Sequence, residues 1–580
     1  MRPGIQVLTA TALAIAFAGS SAADPSPPPD TIFVGGAVLT VDETRPVAGG
    51  VAVAAGRIVE VGAEDEIRAL AGPETRVVEL AGRALVPGFV DSHSHLVLAS
   101  QTLAFMADLN APPIGRVRTV EQALAALRAQ AERTPPGQWI VGMGYDDTLL
   151  AERRHLDRRD LDLVSRQRAV LAIHVSGHFY AANSVALELA GIDADTPDPE
   201  GGVIRRDPDS GEPDGVLEEI AAALPLLVRM PARPREARLE ALERMAHVYA
   251  SRGVTTAQDG AAGLETIGDL QALVRTGGMP IRVVALPTAD AVEPLLAGEL
   301  ADPRIPDERL TLGPVKLVAD GSIQGFTGYL SRPYHTPFQG DPDYRGYPTL
   351  SGDALAASVA RLHAAGLQLA IHGNGDAAID AILTALEAAL HETPHPDPRL
   401  VVIHAQMARE DQLDQMLRLG ATPSFFALHT YYWGDRHRDV FIGPERARRI
   451  SPARSARERE LRFSIHTDAP VVPMDVLKLM ATAIDRRTTS GEVLGPEQRL
   501  TPDEALRAVT LDAAWQYRLE DSRGSIEPGK LADLVVLSAD PSRRAVRIDQ
   551  LRVDQTWVGG KRVFERPLPA DTVNSPSESE

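Results

Sequence analysis

From Thr31 to Val86, apolar residues alternate with polar ones or run in short stretches between Gly-marked turns: TIFVGGAVLTVD, GGVAVAAGRIVEVG and TRVVELAGRALVPGF. A period of two closed by turn residues is a β-strand signature. The pattern returns near the end of the chain in GSIEPGKLADLVVLSADP and VDQTWVGGKRVFE. Neither patch is large enough to close a core alone. Together they predict one small β-sandwich built from residues 31–88 and 524–565. Between them, short apolar runs each end on a polar residue and precede an Ala-rich stretch of helical period: GVTTAQDG, IRVVALPT, GPVKLVADGS, LQLAIHGNGD, LVVIHAQ, ATPSFFALHT and LRFSIHTDAP. Strands alternating with helices predict an α/β fold, a (β/α)8 TIM-like barrel over residues 89–510. The rhythm breaks from about 101 to 244, which reads as an insertion over the barrel mouth that shapes the pocket or serves structure alone.

The ends have a different character. A short basic start, an apolar stretch from Ile5 to Ala18 and small residues up to Ala22 and Ala23 predict a signal peptide over 1–23, cleaved near Ala22/Ala23. The stretch is shorter than the about 20 residues of a membrane span. The expectation is a periplasmic or secreted protein with no stable membrane insertion after cleavage. The Pro/Ser-rich tail, 566–580, predicts disorder.

Composition narrows the chemistry. Lys+Arg 59 against Asp+Glu 79 gives −20, an acidic balance that argues against a nucleic-acid partner. An apolar fraction of 44% over 580 residues supports a large core and excludes disorder as the dominant state. Cys is 0, which removes disulfides, thiolate metal sites and a cysteine nucleophile. Any metal must be held by histidine, carboxylate or a modified lysine. A homo-oligomer is left open.

The sharpest local signal is PGFVDSHSH, ending in His93 and His95. Residues i and i+2 on a strand share a face, so both imidazoles can reach one ion. His372 closes LQLAIH, His404 closes LVVIH and Asp468 follows FSIHT, each at a predicted strand end. Four histidines and an aspartate on one rim are hard to explain as core residues, since an unpaired buried polar group costs roughly 2–7 kcal/mol. Lys316 lies inside the apolar GPVKLVADG, where a charged amine is disfavoured. Either it is carboxylated, becoming an anionic oxygen ligand able to bridge two metal ions, or it pairs with a carboxylate such as Asp320.

PGFVDSHSH, VKLVADGS, AIHGNGD, VIHAQ, HTDAPV and GSIEPGKLADLVVL together resemble the amidohydrolase superfamily. The likeness is to its amidohydrolase 3 subfamily, which includes N-substituted formamide deformylases, and runs from about residue 31 to 565. The resemblance implies metal-dependent hydrolysis of a non-peptide C–N bond in a small amide, formamide or cyclic amide. It implies His93 and His95 as strand 1 ligands, Lys316 as a carboxylated strand 4 bridge, His372 and His404 as strand 5 and 6 ligands, and Asp468 as the strand 8 residue. It likewise suggests a substrate contact for His178 in SGHFYAANS.

A bound divalent ion lowers the pKa of its water to about 7, and a second can polarise the scissile carbonyl. Asp468 would take the proton of that hydroxide and pass it to the leaving nitrogen. The donor set favours Zn2+, with two ions over one, and also suits Mn2+, Fe2+ or Co2+. His429, Tyr431 and Trp433 in ALHTYYWGD follow strand 7 and would face the mouth, stacking on an apolar substrate or packing the loop. Asp320, Ser322 and Glu219 are weaker candidates, equally readable as turn or surface residues. The competing readings are a one-metal deaminase, which usually lacks the lysine, and a non-catalytic regulatory relative, which typically lacks ligands.

Overall fold

The computed structural model describes residues 27–302, 305–306 and 308–567. The signal peptide expected at 1–23 and the tail from residue 568 on lie outside these residues. Eight parallel strand positions form the central barrel. In order they are Phe89–Val90, Val254–Ala262, Arg282–Pro287, a fourth position split into Leu310–Leu312 and Val315–Val318, Leu369–Gly373, Val401–His404, Thr422–Phe425 and Ser464–Ile465. Gly313 and Pro314 cause the split, because proline cannot donate to the ladder. The first and last positions are joined past their ends, where Asp468 N donates to His93 O at 3.0 Å and His95 N to Ala469 O at 2.7 Å.

The strands are buried on both faces, which is why they read as nearly continuous apolar runs. Ile371, Val402, Val283 and Ala285 pack outward in one core with the helices Gly352–Ala364, Asp376–Glu392 and Leu264–Arg275. Val90, Val284, Ala370, Val401 and Ile403 turn the other way. They pack on Ala513, Ala514, Tyr517 and Leu519 of the helix Leu511–Gln516 and its continuation. Apolar groups thereby fill much of the barrel at the strand N-termini.

The insertion is a layer with a core of its own. Its six strands run in the order Val203–Arg206, Pro213–Glu218, Phe179–Ala182, Val170–His174, Ile140–Tyr145, Ala107–Asp108. Alternate residues serve opposite faces: Val141, Met143, Leu171 and Ile173 pack with the helices Ser184–Ala190 and Glu219–Leu227. Ile140, Val170 and Ala172 pack with Val120–Arg133. Asp146, just past the strand Ile140–Tyr145, ties this layer to the barrel by accepting from Trp433 Nε1 at 3.3 Å and Arg436 Nη1 at 2.6 Å.

Both chain ends do share one β-structure, but it is not the expected pair of stacked sheets. It is one hydrogen-bonded sheet, in the order Lys561–Glu565, Val553–Val558, Leu534–Leu537, Ala84–Pro87, Thr31–Leu39, Val47–Ala54, Arg57–Gly62, with Arg76–Glu79 also paired to Thr31–Leu39. The physical reason is curl. The sheet bends until Phe33 and Trp557, three strands apart, meet edge to face at 5.1 Å, so one sheet encloses its own core. It is fastened to the barrel by a buried ion pair, Arg282 Nε and Nη2 donating to Asp533 Oδ2 and Oδ1 at 2.7 and 3.0 Å. Removing one partner of such a pair strands a buried charge. Asp533→Leu is therefore expected to cost about 3–5 kcal/mol in denaturant unfolding, and the double variant Arg282→Met/Asp533→Leu distinctly less. Equal losses would contradict this role.

Candidate metal centre

The strand ends deliver their polar residues to one place. In the parallel register Lys316 lies beside Ala370, Val318 beside His372 and Gly373 beside His404, so neighbouring strands stagger these side chains around one rim. His93 and His95 arrive differently from the expectation. Their strand ends at Val90, and they sit in the following loop, with His95 opening the helix Leu96–Phe105. Their rings still meet at 5.0 Å. His404 and Asp468 have positive φ, 70° and 56°, without being glycine. Such backbones cost about 1–3 kcal/mol each and concentrate at functional sites.

The resulting cluster is compact and dry. His93, His404 and Asp468 each offer an atom within 4.8 Å of the others. Lys316 Nζ lies 3.3 Å from His93 Nε2, and Asp468 Oδ1 lies 3.5 Å from His95 Nε2. The His372 ring centroid lies 4.5 Å from that of His404. His93, Lys316, His372, His404 and Asp468 are all under 9% exposed. Burial holds His93, His372 and His404 well below the ordinary imidazole range, so each is neutral with a lone pair to give. Burial also lowers the Lys316 amine to about 8, with Asp468 opposing.

The donor set fits a divalent ion. His93 Nδ1 is held by Gln258 Oε1 at 2.7 Å, leaving Nε2 for the centre, the outer-sphere arrangement that fixes a metal-bound imidazole. His372 Nδ1 is buried without a hydrogen bond, its 3.3 Å approach to Asp320 lacking the geometry for one.

Asp320 is no surface residue. Its buried carboxylate accepts from the backbone N–H of Tyr329, Asn374 and Gly375, yet burial still raises it to about 7. It braces the loop behind His372 and does not pair with Lys316. Ser322 is buried beside it. Glu219 is buried too, and its Oε2 meets His178 Nδ1 at 2.7 Å. Burial alone would lower the His178 imidazole, and the pairing with Glu219 instead raises it. The His178 ring stands 5.2 Å from that of His372, at the edge of the centre.

The three residues after strand 7 separate. His429 is buried, with its ring 6.2 Å from His404 and its Nδ1 unbonded. Trp433 is buried behind it and engaged with Asp146. Tyr431 turns away to stack under Lys478 Nζ at 3.5 Å, because helical residues two apart lie on different faces. The sequence reading missed His466, Gln258 and Asn374. His466 carried a usable signal, standing two positions before Asp468 as His93 stands before His95.

A second group, Asp146, Asp147 and His174, is also close enough for an ion. Asp146, however, already accepts from Thr148 N and Oγ1, Trp433 and Arg436, which fills its lone pairs. It is a clamp between insertion and barrel.

A parallel barrel with buried histidines, a lysine and an aspartate at its strand ends defines a metal-dependent hydrolase. A solved structure of an uncharacterized metal-dependent hydrolase from Pyrococcus horikoshii OT3 shares this fold with a TM-score of 0.71 at 24% identity, covering 90% of this chain and 99% of that one. The amidohydrolase family model matches residues 76–564, and the chain belongs to that family of hydrolases acting on carbon–nitrogen bonds other than peptide bonds. It is 31% identical to the N-substituted formamide deformylase of Arthrobacter pascens, over 93% of this chain and 98% of that one. It is 28% identical to the putative amidohydrolase YtcJ of Bacillus subtilis strain 168, over 92% and 99%.

Packing is tight at Gly321, where an added methyl would lie 2.0 Å from both Glu219 Oε1 and Thr327 Oγ1. Gly321→Ala is expected to cost about 1–3 kcal/mol in thermal or denaturant unfolding. An unchanged stability would mean that Glu219 is not held where it is described.

Proposed function

We propose that this is an exported amidohydrolase, cleaved near Ala22/Ala23, that hydrolyses a small non-peptide amide, with an N-substituted formamide or other N-acyl compound as the leading substrate class. The observation that carries the proposal is the gathering of His93, His372, His404, Lys316 and Asp468, all buried, with half-buried His95 at 3.5 Å from Asp468. Divalent ions bound there, with two Zn2+ favoured, would supply a hydroxide at neutral pH and polarise the scissile carbonyl.

The chain's own residues do the rest. The buried imidazoles of His93, His372 and His404 would hold divalent ions, and Lys316, its amine made easier to neutralise by burial, would add an anionic oxygen donor once carboxylated by carbon dioxide. Asp468 accepts the nucleophile's proton and returns it to the leaving nitrogen, which cannot depart as an amide anion. His178, shifted by the Glu219 carboxylate toward its protonated form, would donate toward the substrate's oxygen from the rim. Phe426 and Trp433 pack against His429, at ring-centroid distances of 4.3 and 5.7 Å, and would keep water from that side of the site. A one-metal deaminase fits less well, because Lys316 stands 3.3 Å from His93 and has no carboxylate partner at hydrogen-bond distance among the described residues.

The test is a panel of N-substituted formamides, N-acyl amines and cyclic amides offered to mature protein whose N-terminus reads Ala23 or Asp24. Turnover of at least one class is expected, abolished by a chelator and restored by Zn2+. His178→Ala should lower kcat/KM by about 10²–10³-fold, the range for losing one oxyanion donor. Turnover insensitive to chelation would overturn the reading.

A further inference from the structure

Below the metal centre a line of buried polar groups runs down the barrel interior. His404 Nδ1 lies 3.1 Å from His466 Nε2, and His466 Nδ1 lies 2.8 Å from Ser424 Oγ. Ser424 Oγ lies 2.9 Å from Ser464 Oγ, which lies 2.5 Å from Gln516 Oε1. Ser424, Ser464, His466 and Gln516 are fully buried, so no water competes for these bonds.

The direction of every bond in this line follows from its far end. Gln516 Nε2 faces the carbonyl of Pro423 at 2.9 Å and Thr422 Oγ1 at 2.8 Å. A carbonyl only accepts, so the amide nitrogen must point there and Oε1 must face Ser464. Oε1 also only accepts, so the single hydroxyl hydrogen of Ser464 goes to Gln516. The heavy-atom angles at the 2.9 Å contact with Ser424 also suit Ser464 as donor, but its one hydrogen is taken by Gln516 Oε1 at the shorter 2.5 Å, so Ser424 supplies the hydrogen between the two serines. Ser424 must accept from His466 Nδ1–H, which leaves His466 Nε2 as an acceptor. Reversing the line would set two oxygen lone pairs against each other at 2.5 or 2.9 Å. Ser92 Oγ, 3.2 Å from Ser424 Oγ, leaves this order intact, since Ser424 has a second lone pair for it.

We propose that His466 is a positioning residue which, ordered by Ser424, Ser464 and Gln516, holds the proton of His404 on Nδ1 and turns the bare Nε2 lone pair toward the metal centre. The metal centre more often has a carboxylate or carbonyl in that outer position; here a neutral histidine fills it and draws its polarity from a glutamine at the far end of the barrel. The inference rests on the metal-hydrolase reading for its purpose, but its content is a property of the metal-free chain.

Two readouts test it. In metal-free protein labelled with 15N-histidine, two-bond 1H–15N spectra report which ring nitrogen of His404 carries the proton, with His404→Gln giving the assignment. The expected state is Nδ1–H in the wild type and in His466→Gln, whose amide can accept from His404 and donate to Ser424. Zn2+ affinity by chelator competition should fall about 10–100-fold in His466→Leu and stay near wild type in His466→Gln. Should His466→Leu not fold, Ser424→Ala is expected to weaken Zn2+ binding in the same direction and Ser424→Thr to preserve it. An Nε2–H tautomer in the wild type, or equal loss of affinity in folded Leu and Gln variants, overturns the proposal. If the wild type binds no Zn2+, the hydrolase reading fails separately, and the tautomer spectrum alone decides this one.

Discussion

The structure depends on one constraint: five strand-end groups that water would normally solvate are buried together where an apolar barrel opens. His93, Lys316, His372, His404 and Asp468 are each under 9% exposed. Groups taken out of water persist only when paired, hydrogen-bonded or bound to metal. Two of the candidate ligands have a partner behind them, Gln258 for His93 and His466 for His404. Two ligands adopt positive φ without being glycine. That strain is tolerable because hydrogen bonds such as Asp468 N to His93 O, at 3.0 Å, lock the first and last strands together around it.

The other two parts of the molecule serve this mouth. Apolar groups fill much of the barrel at the strand N-termini, and the histidine, lysine and aspartate cluster stands at the other end. The insertion covers that end, presents His178 from the strand side and Glu219 from the following helix, and is anchored through Asp146 to Trp433 and Arg436. The curled terminal sheet stands apart from the chemistry and grips the barrel through Arg282 and Asp533.

How much was legible in the sequence varies with the distance over which each contact acts. The barrel was legible because a parallel sheet buried on both faces writes itself as short apolar runs, and because strand ends placed His372 and His404 without any long-range information. Glu219 and Asp320 looked like turn or surface residues, since nothing local in DGVLEEI or VADGS reveals burial. Glu219 gains its buried partner only by meeting His178, 41 positions earlier. Tyr431 failed for the opposite reason. His429, two positions earlier, lies beside the site, but helical geometry turns Tyr431 toward Lys478. The curl that makes one sheet of two terminal patches is a property of twist accumulated across strands, which alternation alone does not encode.

The central claim, that the buried cluster is a metal centre, is tested most directly by elemental analysis of purified mature protein, with Lys316→Ala and His404→Ala beside it. The account predicts close to two equivalents of zinc or a similar divalent ion in the wild type, and a clear fall in both folded variants. No metal in the wild type, even after reconstitution with Zn2+ and bicarbonate, would contradict it.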